Sequence, residues 1–238
     1  MPKHRGIELE TADVPARQVP TREGYDLWAQ VYDDEANPLV ALDELVVAPR
    51  LGALAGLDLL DLGCGTGRWS GYAARQGAAV VGVDFAGEML VRARVNLAGT
   101  GVRLVQADLA RPLPFPDQCF DRVISGLVLE HIAEPATLFA EARRVCRAAG
   151  RLVFSTMHPV LFEFGKQAHF VDRATGVEVR FQSYAHQLAD FVAAAEQAGL
   201  AFDAVEEHQA SNALAARHPA LRKFKGVPVL LTLSLRPG

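Results

Sequence analysis

The sequence is short of the features that staple or anchor a chain. Three cysteines, Cys64, Cys119 and Cys146, stand in 238 residues. They are odd in number, widely spaced and without a C-x-x-C pair, so neither a disulfide framework nor a zinc site is indicated, and they are read as reduced, mostly buried thiols. Long apolar runs are also missing. The stretch 227–235, interrupted by Pro228 and Thr232, falls well short of the roughly 18 residues of a membrane span, which excludes a transmembrane helix. Positive charge is not in excess: 24 Lys and Arg face 28 Asp and Glu, a net charge of -4. A protein that relies on neutralising phosphates normally shows a basic footprint, so nucleic acid is not the expected partner. No apolar segment of signal-peptide type follows the first six residues, and a cytoplasmic location is the expectation. Internal repeats and low-complexity tracts are absent.

What is present is an ordinary globular balance, 50% apolar and 22% charged, in a chain long enough to bury a core without staples. Residues 1–20 carry Pro2, Pro15 and Pro20 without periodicity and read as a mobile N-terminal arm. Residues 21–50 read as two short lid helices, with Asn37-Pro38 a restart point that puts proline in a first turn. From residue 51 the pattern changes to short apolar runs (57–62, 80–83, 102–106, 120–125, 152–155) alternating with helical stretches (68–76, 86–97, 135–147), the grammar of βαβ units and a parallel sheet. At about 157–185 the alternation lapses, which predicts a functional insertion or lid. A helix at 186–198 and strands near 202–207 and 227–235 complete the core, 51–238.

The strongest local signal is Leu59-Leu60-Asp61-Leu62-Gly63-Cys64-Gly65-Thr66-Gly67-Arg68, an apolar strand entering alternate glycines and then a helix. Glycine lets the backbone turn tightly and approach a ligand, and the helix N-terminus offers free N–H groups to an anionic group. The dinucleotide fingerprint G-x-G-x-x-G fits poorly because Gly67 comes one place early, and the Lys-Ser/Thr ending of a phosphate-cradling loop is not there. The pattern is Asp-x-Gly-x-Gly-x-Gly.

With that motif the chain resembles the class I S-adenosylmethionine-dependent methyltransferases. Further stretches match in order: Val81-Gly82-Val83-Asp84-Phe85, then Gln106-Ala107-Asp108-Leu109, Leu113-Pro114-Phe115-Pro116-Asp117, and Ser125-Gly126-Leu127-Val128-Leu129-Glu130-His131-Ile132. Within the family it is similar to the small-molecule branch that includes ubiquinone and menaquinone biosynthesis methyltransferases. The resemblance implies an α/β fold, a Rossmann-like, seven-stranded and mostly parallel sheet with helices on both faces and the last strand antiparallel. It also implies S-adenosylmethionine as cofactor and S-adenosylhomocysteine as product, with the methyl moved to O, N or C of a small-molecule acceptor.

Carried onto this sequence, the cofactor residues are Asp61, Gly63, Gly65, Gly67, Asp84, Phe85, Met89, Asp108, Leu109 and Ser125. Asp84 would accept from both ribose hydroxyls and Asp108 from the adenine amino group. His131 and His158 are the candidate bases, since proton removal aids transfer whenever the nucleophile carries a proton. Tyr25, Trp28, Tyr32, Phe162 and Tyr184 are the candidate acceptor contacts. No metal is expected, and the particle is expected to be a monomer or homodimer. An RNA or protein methyltransferase, an NAD-linked oxidoreductase and a non-catalytic S-adenosylmethionine-binding protein remain as alternatives.

Overall fold

The computed structural model describes residues 15–34 and 37–238. Its centre is a seven-stranded sheet. The strands are β2 (Asp58–Leu62), β3 (Ala79–Asp84), β4 (Arg103–Gln106), β5 (Phe120–Gly126), β6 (Cys146–Met157), β9 (Leu200–Gln209) and β10 (Pro228–Pro237), in spatial order β4-β3-β2-β5-β6-β10-β9. Strands β2 to β6 pair in parallel. The last strand, β10, runs antiparallel to both neighbours, β6 and β9. Lying inside the sheet, β10 is covered on both faces, which explains its largely apolar reading, Val229 to Leu233 with Thr232 the one exception, where an edge strand would alternate.

Helices α2 (Pro38–Leu51), α3 (Arg68–Arg75), α4 (Gly87–Asn96), α5 (Pro135–Val145) and α7 (Leu188–Gln197) flank the sheet. The restart at Asn37-Pro38 is realised: Asn37 Oδ1 accepts from Leu39 N at 2.9 Å, and proline occupies the first turn. Leu138, Phe139, Ala142 and Val145 of α5 bury one stripe in the main core beside Phe154, Leu231 and Leu233. On the other face Val47 and Leu51 of α2 pack with Trp69 and Ala73 of α3. A fully buried carboxylate, Asp43, ties this face together by accepting from Arg68 Nη2 at 2.6 Å, Trp69 Nε1 at 2.9 Å and the Ser155 hydroxyl.

Three elements differ from the sequence reading. Ala16–Val19, placed in an arm without periodicity, forms strand β1, and residues 1–14 lie outside the described residues. β1 pairs in parallel with β8 (Glu178–Phe181), which pairs antiparallel with β7 (His169–Val171), giving a separate sheet of order β1-β8-β7. The expected insertion is therefore a short helix α6 (Val160–Glu163) and a hairpin, and its small sheet is completed by β1. The cause is non-local pairing, which a single stretch of sequence does not display. Finally, α5 ends at Val145 and β6 begins at Cys146, with a register shift between Phe120 and Arg122.

Helix α1 (Thr21–Trp28) lies between the two sheets. Trp28 and Ala29 pack with Phe170, Val179 and Phe181 above and with Ala86 and Met89 below. Strand β1, helix α1 and the hairpin thus form one cap over the carboxyl ends of β2 and β3. Among the described residues no helix is long and apolar enough to cross a membrane.

Candidate active site

The chain goes from β2 to β3 and β4 on one side and then returns to β5 on the other, so the order reverses at β2/β5. In open α/β sheets the crevice beyond the strand ends at this reversal is where ligands bind. Here it holds a cavity of about 200 Å³, bordered by the glycine loop, the ends of β3 and β4, the turn after β5 and helix α1.

Two glycines shape its floor. At Gly63 φ is +73°, and an added Cβ would lie 2.4 Å from Val128 Cγ2, so the loop can press against the turn after β5 only without a side chain. At Gly65 φ is +54° and no atom lies within 4 Å of where a Cβ would stand; that open space is a cradle a side chain would fill. Asp84, at the end of β3, braces the loop: Oδ2 accepts from Gly65 N at 2.8 Å and Oδ1 from Ala86 N at 2.9 Å. Burial raises its pKa, against the backbone N–H groups of Ala86, Gly65 and Phe85, which lower it. Phe85, Met89, Asp108 and Leu109 also border the cavity, and Asp108 Oδ1 accepts from Ala110 N at 3.0 Å. A carboxylate beside a side-chain-free loop, with a second acid one strand further, is the acceptor set that the hydroxyls of a ribose diol and a purine amine require.

A second cavity of about 400 Å³ adjoins the first, and Tyr25, Tyr32 and Leu127 border both. Its walls are largely apolar: Trp28, Leu39, Met157, Leu161, Leu221, Phe224 and Val229. The carboxylate of Glu130 joins them, buried and accepting from Thr156 Oγ1 at 2.7 Å. Lys166 and His169 enter from the insertion. Leu127, at the junction, has φ +60°, a conformation costly for a side chain of this kind and fixed by its N–H donating to Ser155 O at 2.9 Å.

His131 borders the first cavity. Its Nδ1 lies 3.2 Å from Gln182 O and its Nε2 2.9 Å from Tyr25 Oη. Tyr25 is wrapped by Trp28, Tyr32, Phe181 and His131, with ring centroids 4.9–6.5 Å away. Burial, then Tyr32 and the negative charges of Glu130 and Asp84, raises the Tyr25 hydroxyl well above the usual tyrosine range, and burial pushes Tyr32 up to about 12.

Several expected site residues stand elsewhere. His158 borders neither cavity: its Nδ1 accepts from Val160 N at 3.2 Å and its Nε2 meets Glu207 Oε1 at 2.9 Å, so both ring nitrogens are spent tying α6 to β9. Phe162 packs against the cluster of Leu161, Leu214 and Phe224. Tyr184 borders the first cavity, not the second, where its hydroxyl accepts from Gln182 Nε2 at 2.9 Å. Asp61 lies beneath the loop, accepting from Ser70 Oγ at 2.7 Å, and burial raises its pKa to about 6. The fully buried Ser125 hydroxyl donates to Leu62 O at 2.9 Å and joins β5 to β2. Gly67 caps α3 with φ +92° and faces a different cleft, beside Arg68 and Asp33. Conversely, Thr21, Leu127, Val128 and Glu130 border the cavities without having been singled out. The last three lie in the stretch 125–132 already matched by resemblance; Thr21 carried no local signal.

Sheet, reversal point and glycine loop with its acid define a Rossmann-like nucleoside-binding protein. Residues 60–154 match the family described as methyltransferase domain. An uncharacterised methyltransferase of Emericella nidulans is 36% identical over 219 residues, 76% of either chain. A ubiquinone biosynthesis O-methyltransferase of Xylella fastidiosa is 34% identical over 173 residues, 68% of this chain and 66% of that one. The crystal structure of an S-adenosylmethionine-dependent methyltransferase from Mesorhizobium loti superposes with a TM-score of 0.70 at 27% identity, covering 83% of this chain and 99% of that one. The chain belongs to the S-adenosylmethionine-dependent methyltransferases, and S-adenosylmethionine is its cofactor.

Proposed function

We propose that this enzyme methylates a small molecule seated in the 400 Å³ cavity, and that the 200 Å³ cavity takes the adenosyl end of the cofactor. The observation that carries this reading is the wall shared by the two cavities, Tyr25, Tyr32 and Leu127, where ligands in each would meet. The sulfonium supplies an activated methyl group, so the chain's task is mainly to hold the partners in line, worth up to roughly 7–11 kcal/mol. Asp84 accepts from the ribose hydroxyls. Asp108 and the Leu109 N–H recognise the adenine edge, while Phe85 and Met89 pack against it. Gly63 and Gly65 admit the amino-acid end.

The acceptor's surroundings set its class. An apolar chamber with one buried carboxylate suits a compact, largely apolar molecule that presents a hydrogen-bond donor, because an ionised carboxylate can only accept. A hydroxyl donor agrees with the O-methyltransferase name of the Xylella fastidiosa relative. A polynucleotide acceptor is disfavoured by the net charge of -4.

Calorimetric titration with S-adenosylmethionine, S-adenosylhomocysteine and NADH tests the cofactor assignment. Binding of the two sulfur ligands alone is expected, weakened about tenfold or more by Asp84→Ala, since hydrogen bonds to a charged group contribute about 1.5–3 kcal/mol. Unchanged affinity in that variant would remove Asp84 from the site. Transfer of labelled methyl to phenols, catechols or primary amines then tests the acceptor class; turnover confined to RNA or protein would overturn it.

A further inference from the structure

At the shared wall one pair of side chains can move a proton. Of the three residues common to both cavities, Leu127 is apolar, whereas Tyr25 carries a hydroxyl 2.9 Å from the His131 ring. The other ring nitrogen of His131 is 3.2 Å from the carbonyl oxygen of Gln182. A carbonyl only accepts, so in the neutral ring Nδ1 carries the hydrogen and Nε2 presents its lone pair to Tyr25. The Tyr25 O–H therefore donates to Nε2, and its oxygen keeps lone pairs with which to accept.

We infer that Tyr25 and His131 form a proton relay, with Tyr25 the group that takes the acceptor's proton and His131 the base behind it. The inference rests on the methyl-transfer reading above. In the step, the acceptor heteroatom gains the methyl carbon while the bond from that carbon to sulfur breaks, its electron pair staying on sulfur. The heteroatom's proton passes to Tyr25 Oη as Tyr25's own proton passes to His131 Nε2. Tyr25 ends neutral, the imidazolium carries the positive charge lost at sulfur, and His131, partly exposed, releases the proton to water.

The surroundings favour a relay over a standing phenolate. Tyr25 faces Tyr32, Glu130 and Asp84, and two neighbouring carboxylates oppose a negative charge on its oxygen. The relay's parts come from three stretches far apart in the chain: Tyr25 from α1, His131 from the turn after β5, and the carbonyl that sets the tautomer from the residue after β8. The base is thus assembled by the packing of the cap onto the sheet.

Nitrogen-15 spectra of the histidine-labelled protein, with S-adenosylhomocysteine titrated in, test the geometry without any acceptor. The expected His131 ring is the neutral form protonated at Nδ1, with an Nε2 resonance that moves in Tyr25→Phe. A ring protonated at Nε2, or a resonance indifferent to Tyr25→Phe, would overturn the relay. Labelled methyl transfer to whichever phenol, catechol or primary amine is turned over tests the chemistry. Tyr25→Phe and His131→Gln should each lose about 10²-fold or more in kcat, the double variant no more than the worse single one, with S-adenosylhomocysteine affinity held within about threefold. Wild-type turnover by Tyr25→Phe sinks the relay alone, whereas failure of the unaltered protein to bind S-adenosylhomocysteine sinks the reading beneath it.

Discussion

Asp61 is a buried carboxylate whose environment departs from its surface chemistry. It is 1% exposed, and burial lifts its pKa to about 6 although Ser70 hydrogen-bonds to it. In the unfolded chain the same group titrates near the ordinary aspartate value, about 3.9. Between these values the native state binds the extra proton, so this residue's contribution favours folding in acid and is lost as pH rises from about 4 through 6. The gap of about two pKa units corresponds to about 2–3 kcal/mol. Asp61→Asn keeps an acceptor for Ser70 and removes the titration. Denaturant unfolding between pH 4 and 8 should show the variant gaining stability relative to the parent as pH rises, and parallel curves would refute the account. The carboxylate under the glycine loop is thus a packed group beneath the ligand floor, and Asp84 is the acid beside the cavity.

At the scale of elements, the cap is decided by few contacts. Phe181, fully buried at the end of β8, touches Tyr25, Trp28, Phe170 and His131 with ring centroids 4.9–6.4 Å away. Additional ties run to the cofactor side: Arg22 Nε donates to Phe85 O at 3.0 Å, Glu88 N to Asp26 Oδ1 at 3.0 Å, and Thr66 Oγ1 to Asp33 Oδ1 at 2.7 Å. Truncating a buried phenylalanine costs about 3–5 kcal/mol where the structure cannot relax. Phe181→Ala is therefore expected to loosen the cap and weaken S-adenosylhomocysteine binding severalfold, while the seven-stranded core keeps its thermal transition within a few degrees. Calorimetry read beside thermal unfolding separates these outcomes; loss of the whole fold would show that the cap is integral to the core.

At the scale of the molecule, stability is uneven. Strands β2, β5, β6 and β10 lie inside the sheet, whereas β1, β7 and β8 form a small sheet of their own. Segments with fewer buried contacts open more readily. Amide exchange followed by mass spectrometry should therefore be fast in 15–34 and 169–184 and slow in the central strands, and S-adenosylhomocysteine should slow the cap most. Uniform protection in the free protein would contradict this division. Thr21, Tyr25 and Tyr184 of this cap border the same cavity as the glycine loop.

By itself the sequence determined the alternation of strands and helices, the antiparallel last strand implied by resemblance, the glycine loop, and the position of Asp84 and Asp108 at or just past the ends of their strands. Each rests on local rules: period, cap and turn chemistry within a dozen residues, or a motif in which neighbours in the chain are neighbours in space. Only the tertiary structure decided that Ala16–Val19 is a strand and that His131 meets Tyr25 while His158 is spent elsewhere. It also decided that Asp61, Ser125 and Gly67 stand outside the cavity and that Glu130 stands inside the second one. Those facts depend on pairings such as Thr21 with Gln182, 161 residues apart, and on which way a pleat or turn aims a side chain. Distance along the chain carries no such information; the packing of the cap onto the sheet does.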